Sequence, residues 1–72
     1  MASNELPIPA PNGPPLIYGG DAGHSVLVER QPDGSFYGND ERGFEFDARD
    51  EAELLARLAM WGCTRFLQAS KL

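Results

Sequence analysis

The chain has 72 residues, with eleven acids against six Lys and Arg and a formal charge of −5; this bounds it to one domain and argues against direct binding to nucleic acid, where Lys and Arg supply most of the affinity. A single cysteine excludes an intramolecular disulfide and a thiolate metal cage, and suits a reducing cytoplasm. No basic, apolar leader opens the chain and no apolar run approaches the ~20 residues of a bilayer span, so neither secretion nor a membrane partner is expected.

Five of the six prolines fall within residues 1–15. Proline removes backbone donors and restricts its neighbours, so residues 1–15 read as a disordered or extended arm outside the core, and residues 16–72 as a single α+β domain. Leu16-Ile17-Tyr18 closes the arm, and the glycine-rich stretch Gly19–Gly23 follows as a flexible loop. That loop lacks the lysine of a phosphate-binding P-loop.

From Ser25 to Gln31 the β-branched residues Val26 and Val28 alternate in a strand pattern. Pro32-Asp33-Gly34 is a turn signal, since proline presets the first turn position and glycine accepts positive φ. Ser35–Gly38 is then the returning strand, Asn39–Gly43 a second turn, and Phe44-Glu45-Phe46 a third strand. A carboxylate at Asp47 or Asp50 can cap a helix start. Leu54, Leu55, Leu58, Ala59, Trp61 and Gly62 recur at three- and four-residue spacing, which predicts a helix whose Leu55 and Leu58 face the sheet. Glu53 and Arg57, four apart, are expected to pair on its exposed side. Gly62 is the expected stop, and Thr64–Ala69 a last strand. The predicted fold is α+β: a small antiparallel βββαβ sheet with one helix packed on one face, preceded by the proline-rich arm.

No grouping of residues along the chain supports catalysis, so no enzymatic activity, metal or other cofactor is expected. His24 stands without a second imidazole or thiol nearby in sequence, and Cys63 follows a helix with no neighbouring base to lower its pKa. The charge itself is localised. Seven acids (Asp40, Glu41, Glu45, Asp47, Asp50, Glu51, Glu53) and two bases lie between Asp40 and Glu53, which accounts for the whole net charge of −5. Acids at a helix start and on a solvent face also serve capping and solubility. Read functionally, the seven carboxylates imitate the phosphates of a nucleic acid and occupy a basic groove on a protein partner. Asp40 and Glu41 are expected in an exposed turn. Tyr37 and Trp61 join the candidate partner-binding set as aromatic anchors, although helical spacing makes Trp61 first a cover of the sheet. A short sheet has edges that a second copy can pair with, so a homodimer is a further expectation.

The run Phe46-Asp47-Ala48-Arg49-Asp50-Glu51-Ala52 and the strand-turn-strand-strand-helix layout resemble small phage-encoded inhibitors of the anti-CRISPR kind. That resemblance covers residues 25–69 at the level of architecture. It implies a cytoplasmic inhibitor whose acids block a basic nucleic-acid-binding surface of its target. The order of strands with Val28-Glu29-Arg30 and Asp33-Gly34 is also similar to HicB-type antitoxins. An accessory protein of virion assembly, with an arm that wraps a neighbour, is the third reading.

Overall fold

The computed structural model describes residues 6–20 and 23–70. Residues 1–5 of the arm, Asp21 and Ala22 of the glycine-rich loop, and Lys71 and Leu72 lie outside the described residues. The elements run β1 (Leu16–Gly19), β2 (Ser25–Arg30), β3 (Phe36–Asp40), β4 (Glu45–Ala48), α1 (Glu51–Met60) and β5 (Arg65–Ala69). They form one antiparallel sheet in the order β4-β3-β2-β1-β5, with the helix on one face. The sequence pattern placed four strands; the fifth is β1. Its four residues, Leu16-Ile17-Tyr18-Gly19, are too few to show a period. They become a strand because both neighbours pair with them, Tyr18 opposite Val26 on β2 and opposite Phe66 on β5.

Two tight hairpins build the middle of the sheet. In the first, the N–H of Gln31 donates to Ser35 O (2.8 Å), and Asp33 Oδ1 accepts from both the N–H and the hydroxyl of Ser35. In the second, the N–H of Asp40 donates to Phe44 O (3.0 Å). The helix carries its own boundaries. Asp50 Oδ1 accepts from the N–H of Glu53 (2.9 Å), which satisfies a donor left over at the helix start, and Glu53 Oε1 accepts from the N–H of Arg49 (2.7 Å), which ties down the residue before the cap. At the other end, the N–H of Cys63 donates to Leu58 O and that of Gly62 to Ala59 O, a Schellman closure that requires the left-handed φ of 74° at Gly62. The chain then crosses the sheet from the β4 edge to the opposite edge.

The core holds Tyr18, Val26, Val28, Phe36, Phe46, Ala48, Leu54, Leu58 and Cys63. Gly38 is opposite Phe46, and a Cβ there would run into the Phe46 ring, so glycine lets that ring lie flat on the strand. The helix differs from the sequence pattern by one position. Leu54 and Leu58 are buried, whereas Leu55 is 42% exposed. Glu53 pairs with Arg49 (3.7 Å) and not with Arg57, whose Nε donates to Asp47 O (3.3 Å).

Residues 6–15 contain no helix or strand, yet they do not stand outside the core. Pro9 and Pro15 are buried, and Leu6 and Ile8 pack against the core cluster. Tyr18 Oη donates to Pro7 O (2.6 Å), Arg30 Nη1 to Pro9 O (3.3 Å) and the Ser70 N–H to Pro15 O (2.8 Å). One helix of ten residues is too narrow to cover five strands, and the arm fills part of what remains on that side. Among the described residues, no helix is long and apolar enough to cross a membrane.

Candidate functional site

Strand alternation assigns each side chain to a face. Tyr18, Val26, Val28, Phe36, Phe46 and Ala48 point to the helix. Ile17, Leu27, Glu29, Tyr37, Asn39, Glu45 and Asp47 point the other way, where neither the helix nor the described arm lies. Leu67 joins this outer face, because its side chain closes over Gly19.

Tyr37 is the centre of the outer face. It is opposite Glu29 on β2 and Asp47 on β4, with Glu45 one pair further along β4 beside Asn39. Partial burial raises the Tyr37 phenol above its ordinary pKa, and the carboxylates of Glu45, Asp47 and Glu29 push it further in the same direction. Three carboxylates thus converge on one phenol. The β1 and β5 side of the same face is apolar, with Ile17 and Leu27 half-buried and Leu67 exposed.

The acidic segment is therefore split among three places. Glu45 and Asp47 lie on the outer face with Tyr37. Asp50, Glu51 and Glu53 lie at the helix start, where Asp50 and Glu53 are engaged in capping. Asp40 ends β3 and Glu41 opens the turn of the second hairpin, and the two differ sharply. Glu41 is exposed, but Asp40 is 4% exposed and points to the helix side, which corrects the expectation of an exposed turn residue. The reason is local: Asp40 Oδ1 accepts from the N–H groups of Arg42 and Phe44 (both 2.9 Å), so the carboxylate folds inward to hold the turn. Burial would raise its pKa, but these two N–H groups, with the charges of Arg42 and His24, outweigh burial and hold it below the ordinary carboxylate range.

Trp61 follows the last helical residue. It is half-buried, with its ring 5.2 Å from Phe46 in an edge arrangement and stacked at 6.1 Å on His24. Its position beside Phe46 makes it a lid on one end of the core.

Two relationships escaped the sequence pattern. Glu29 belongs with Tyr37, a pairing that follows from the hairpin once Pro32, Asp33 and Gly34 are taken as its three-residue tip. His24 meets Asp40 and Glu41, which only the β2–β3 register brings together. Compared with known proteins, the chain matches no family model, no curated protein and no solved structure.

Proposed function

We propose that this chain is a small protein-binding domain that acts by docking and not by catalysis, with the outer sheet face set against a basic surface of its partner. Where that surface serves the partner in holding nucleic acid, the bound domain is a competitive inhibitor. One observation carries the reading: Tyr37 is surrounded by Glu29, Glu45 and Asp47 on a face that nothing else among the described residues covers. Like charges gathered on one face of a sheet destabilise the free domain, and a cationic partner relieves that repulsion. Tyrosine suits the centre of such a patch, since it buries a large area with only two rotatable bonds and is enriched among interface anchors. The apolar Ile17, Leu27 and Leu67 extend the same surface. The test is capture from a bacterial lysate by immobilised wild type and by a Glu45→Lys/Asp47→Lys variant. A specific protein retained by the first and lost from the second supports the reading; equal retention by both sinks it.

A second reading rests on β5. All five of its residues are exposed, including Phe66 and Leu67, and its outer edge has no partner strand among the described residues. Such an edge can pair with the same strand of a second copy. Sedimentation equilibrium of wild type and of a Leu67→Lys variant separates the two readings, because a dimer lost on substitution favours the edge and a monomer throughout favours the face.

A further inference from the structure

Three residues with metal-ligating side chains converge at one end of the sheet. His24 precedes β2, Asp40 is the last residue of β3 and Glu41 the first of the turn that follows. His24 Nε2 is 3.9 Å from Asp40 Oδ2, and His24 Nδ1 is 3.8 Å from Glu41 Oε2. Neither distance is a hydrogen bond, for which an N–H···O separation of about 2.7–3.2 Å is required. The two contacts use different nitrogens of one ring, of which a single ion takes one; one ligand atom from each of the three residues lies within 4.8 Å of the others, against roughly 3.4 Å between two ligand atoms around a tetrahedral ion bound at about 2.0–2.2 Å.

The second observation concerns Asp40 Oδ2. Asp40 is 4% exposed, and among the described residues its Oδ2 is a buried side-chain oxygen with no hydrogen-bond partner. A buried carboxylate oxygen without a donor is costly. The other oxygen, Oδ1, is already fixed by the N–H groups of Arg42 and Phe44, so the carboxylate cannot turn to relieve it. Outer hydrogen bonds of this kind orient a metal ligand. Arg42 Nη2 stands 3.6 Å from Oδ2 and is the competing cation; its side chain is 64% exposed, and its guanidinium rests over the exposed Phe44 ring at 5.4 Å, so solvent is open to it. A cleft of about 320 Å³, lined by His24, Arg42, Phe44, Met60 and Trp61, borders the cluster on its His24 side.

We infer that His24, Asp40 and Glu41 form a binding site for one divalent first-row transition metal ion of the zinc class, held by an imidazole nitrogen and two carboxylate oxygens, with its remaining positions open to the cleft beside Trp61. The three ligand atoms lie within 4.8 Å of one another. Closing them onto an ion at ligand distances of about 2.1 Å falls to the His24 ring and the exposed Glu41, since the turn N–H groups hold Asp40 in place. The imidazole selects zinc-like ions over magnesium, which prefers an all-oxygen shell. This site does not depend on the outer-face reading, because its residues are distinct from Glu29, Tyr37, Glu45 and Asp47.

The experiment is titration of the chelator-treated full chain with ZnCl2, followed by calorimetry and by Trp61 fluorescence, since the ring stacked on His24 reports occupancy. One Zn2+ per chain is expected, unaffected by excess MgCl2. His24→Ala and Glu41→Gln, both at the surface end of the cluster, should each weaken binding at least about tenfold, the lower end of what is lost when even an outer partner of a ligand is removed. Glu51→Gln, an acid at the helix start, should bind as wild type. Co2+ should give visible absorption without a thiolate charge-transfer band. The inference is overturned by the absence of saturable binding, by competition from Mg2+ at similar concentration, by variants at His24 and Glu41 that bind as wild type, by loss at Glu51, or by a thiolate band that makes Cys63 a ligand.

Discussion

The hydroxyl of Tyr18, on a strand inside the sheet, donates to the carbonyl of Pro7 across eleven residues of chain at 2.6 Å. A fully buried phenol must satisfy its one donor, and here the acceptor comes from the arm. The arm is thereby part of the fold.

Deleting residues 1–14 should destabilise the domain. The loss includes the Tyr18 hydrogen bond, worth about 1 kcal/mol, and the burial of Ile8 and Pro9, worth at least about as much again. Together these predict a fall in melting temperature of roughly 8 °C or more for a domain of this size. Calorimetry of the truncated chain checks it, and a transition within about 2 °C of the full chain would return the arm to the status of an appendage.

Alkaline pH should weaken the fold through the same residue. Burial pushes the Tyr18 phenol up to about 12 from 10.0. The folded state thus favours the neutral form, so this contribution is complete below pH 10 and is lost as pH rises from 10 towards 12. Within that window the cost reaches about 1.4 kcal/mol for each pH unit. Urea titrations between pH 9 and pH 12 should show a shallower decline for Tyr18→Phe than for wild type, although the variant is less stable at neutral pH. Parallel slopes would mean that the phenol ionises freely in the folded chain.

The helix predicts an asymmetric pair of outcomes. Leu54→Ala and Leu58→Ala each remove a fully buried side chain and should cost about 2–5 kcal/mol. Leu55→Ala removes a side chain 42% exposed and should cost under about 1 kcal/mol. Equal losses at positions 54 and 55 in chemical denaturation would show that the helix sits rotated from the orientation described above.

Charge reversal on the outer face should leave the fold intact and slow association. Glu45→Lys breaks up three like charges around Tyr37, so the melting temperature should hold or rise slightly. Binding to the captured partner should lose mainly on-rate, and the wild-type rate itself should fall steeply with salt as the Debye length shrinks from about 10 Å at 0.1 M to about 3 Å at 1 M. Asp40→Lys is not an equivalent test, because it removes the acceptor of two turn N–H groups and should unfold the second hairpin. Surface plasmon resonance at two salt concentrations decides the matter; an unchanged on-rate for Glu45→Lys refutes docking through this face.

What the sequence determined by itself is local. Asp47 or Asp50 offers the helix start, of which the structure uses Asp50, and Gly62 marks its end, because caps act within one turn; Pro32-Asp33-Gly34 marks a hairpin because turn chemistry needs only four residues. Alternation over Ser25–Gln31 identified a strand for the same reason, and β2 spans Ser25–Arg30 of it. Tertiary structure decided everything that depends on partners distant in sequence. Leu54 and Leu55 are equally apolar and lie about 100° apart on the helix, so only the position of the sheet selects Leu54 for the core. β1 is a strand because β2 and β5 flank it, and the prolines that deny the arm a ladder of its own do not prevent its carbonyls from accepting Tyr18 and Arg30. The acids form one run in sequence but three groups in space, since the β3–β4 turn, the pleat and the helix start point them in different directions. His24 lies sixteen residues from Asp40 and meets it only through the pairing of β2 with β3.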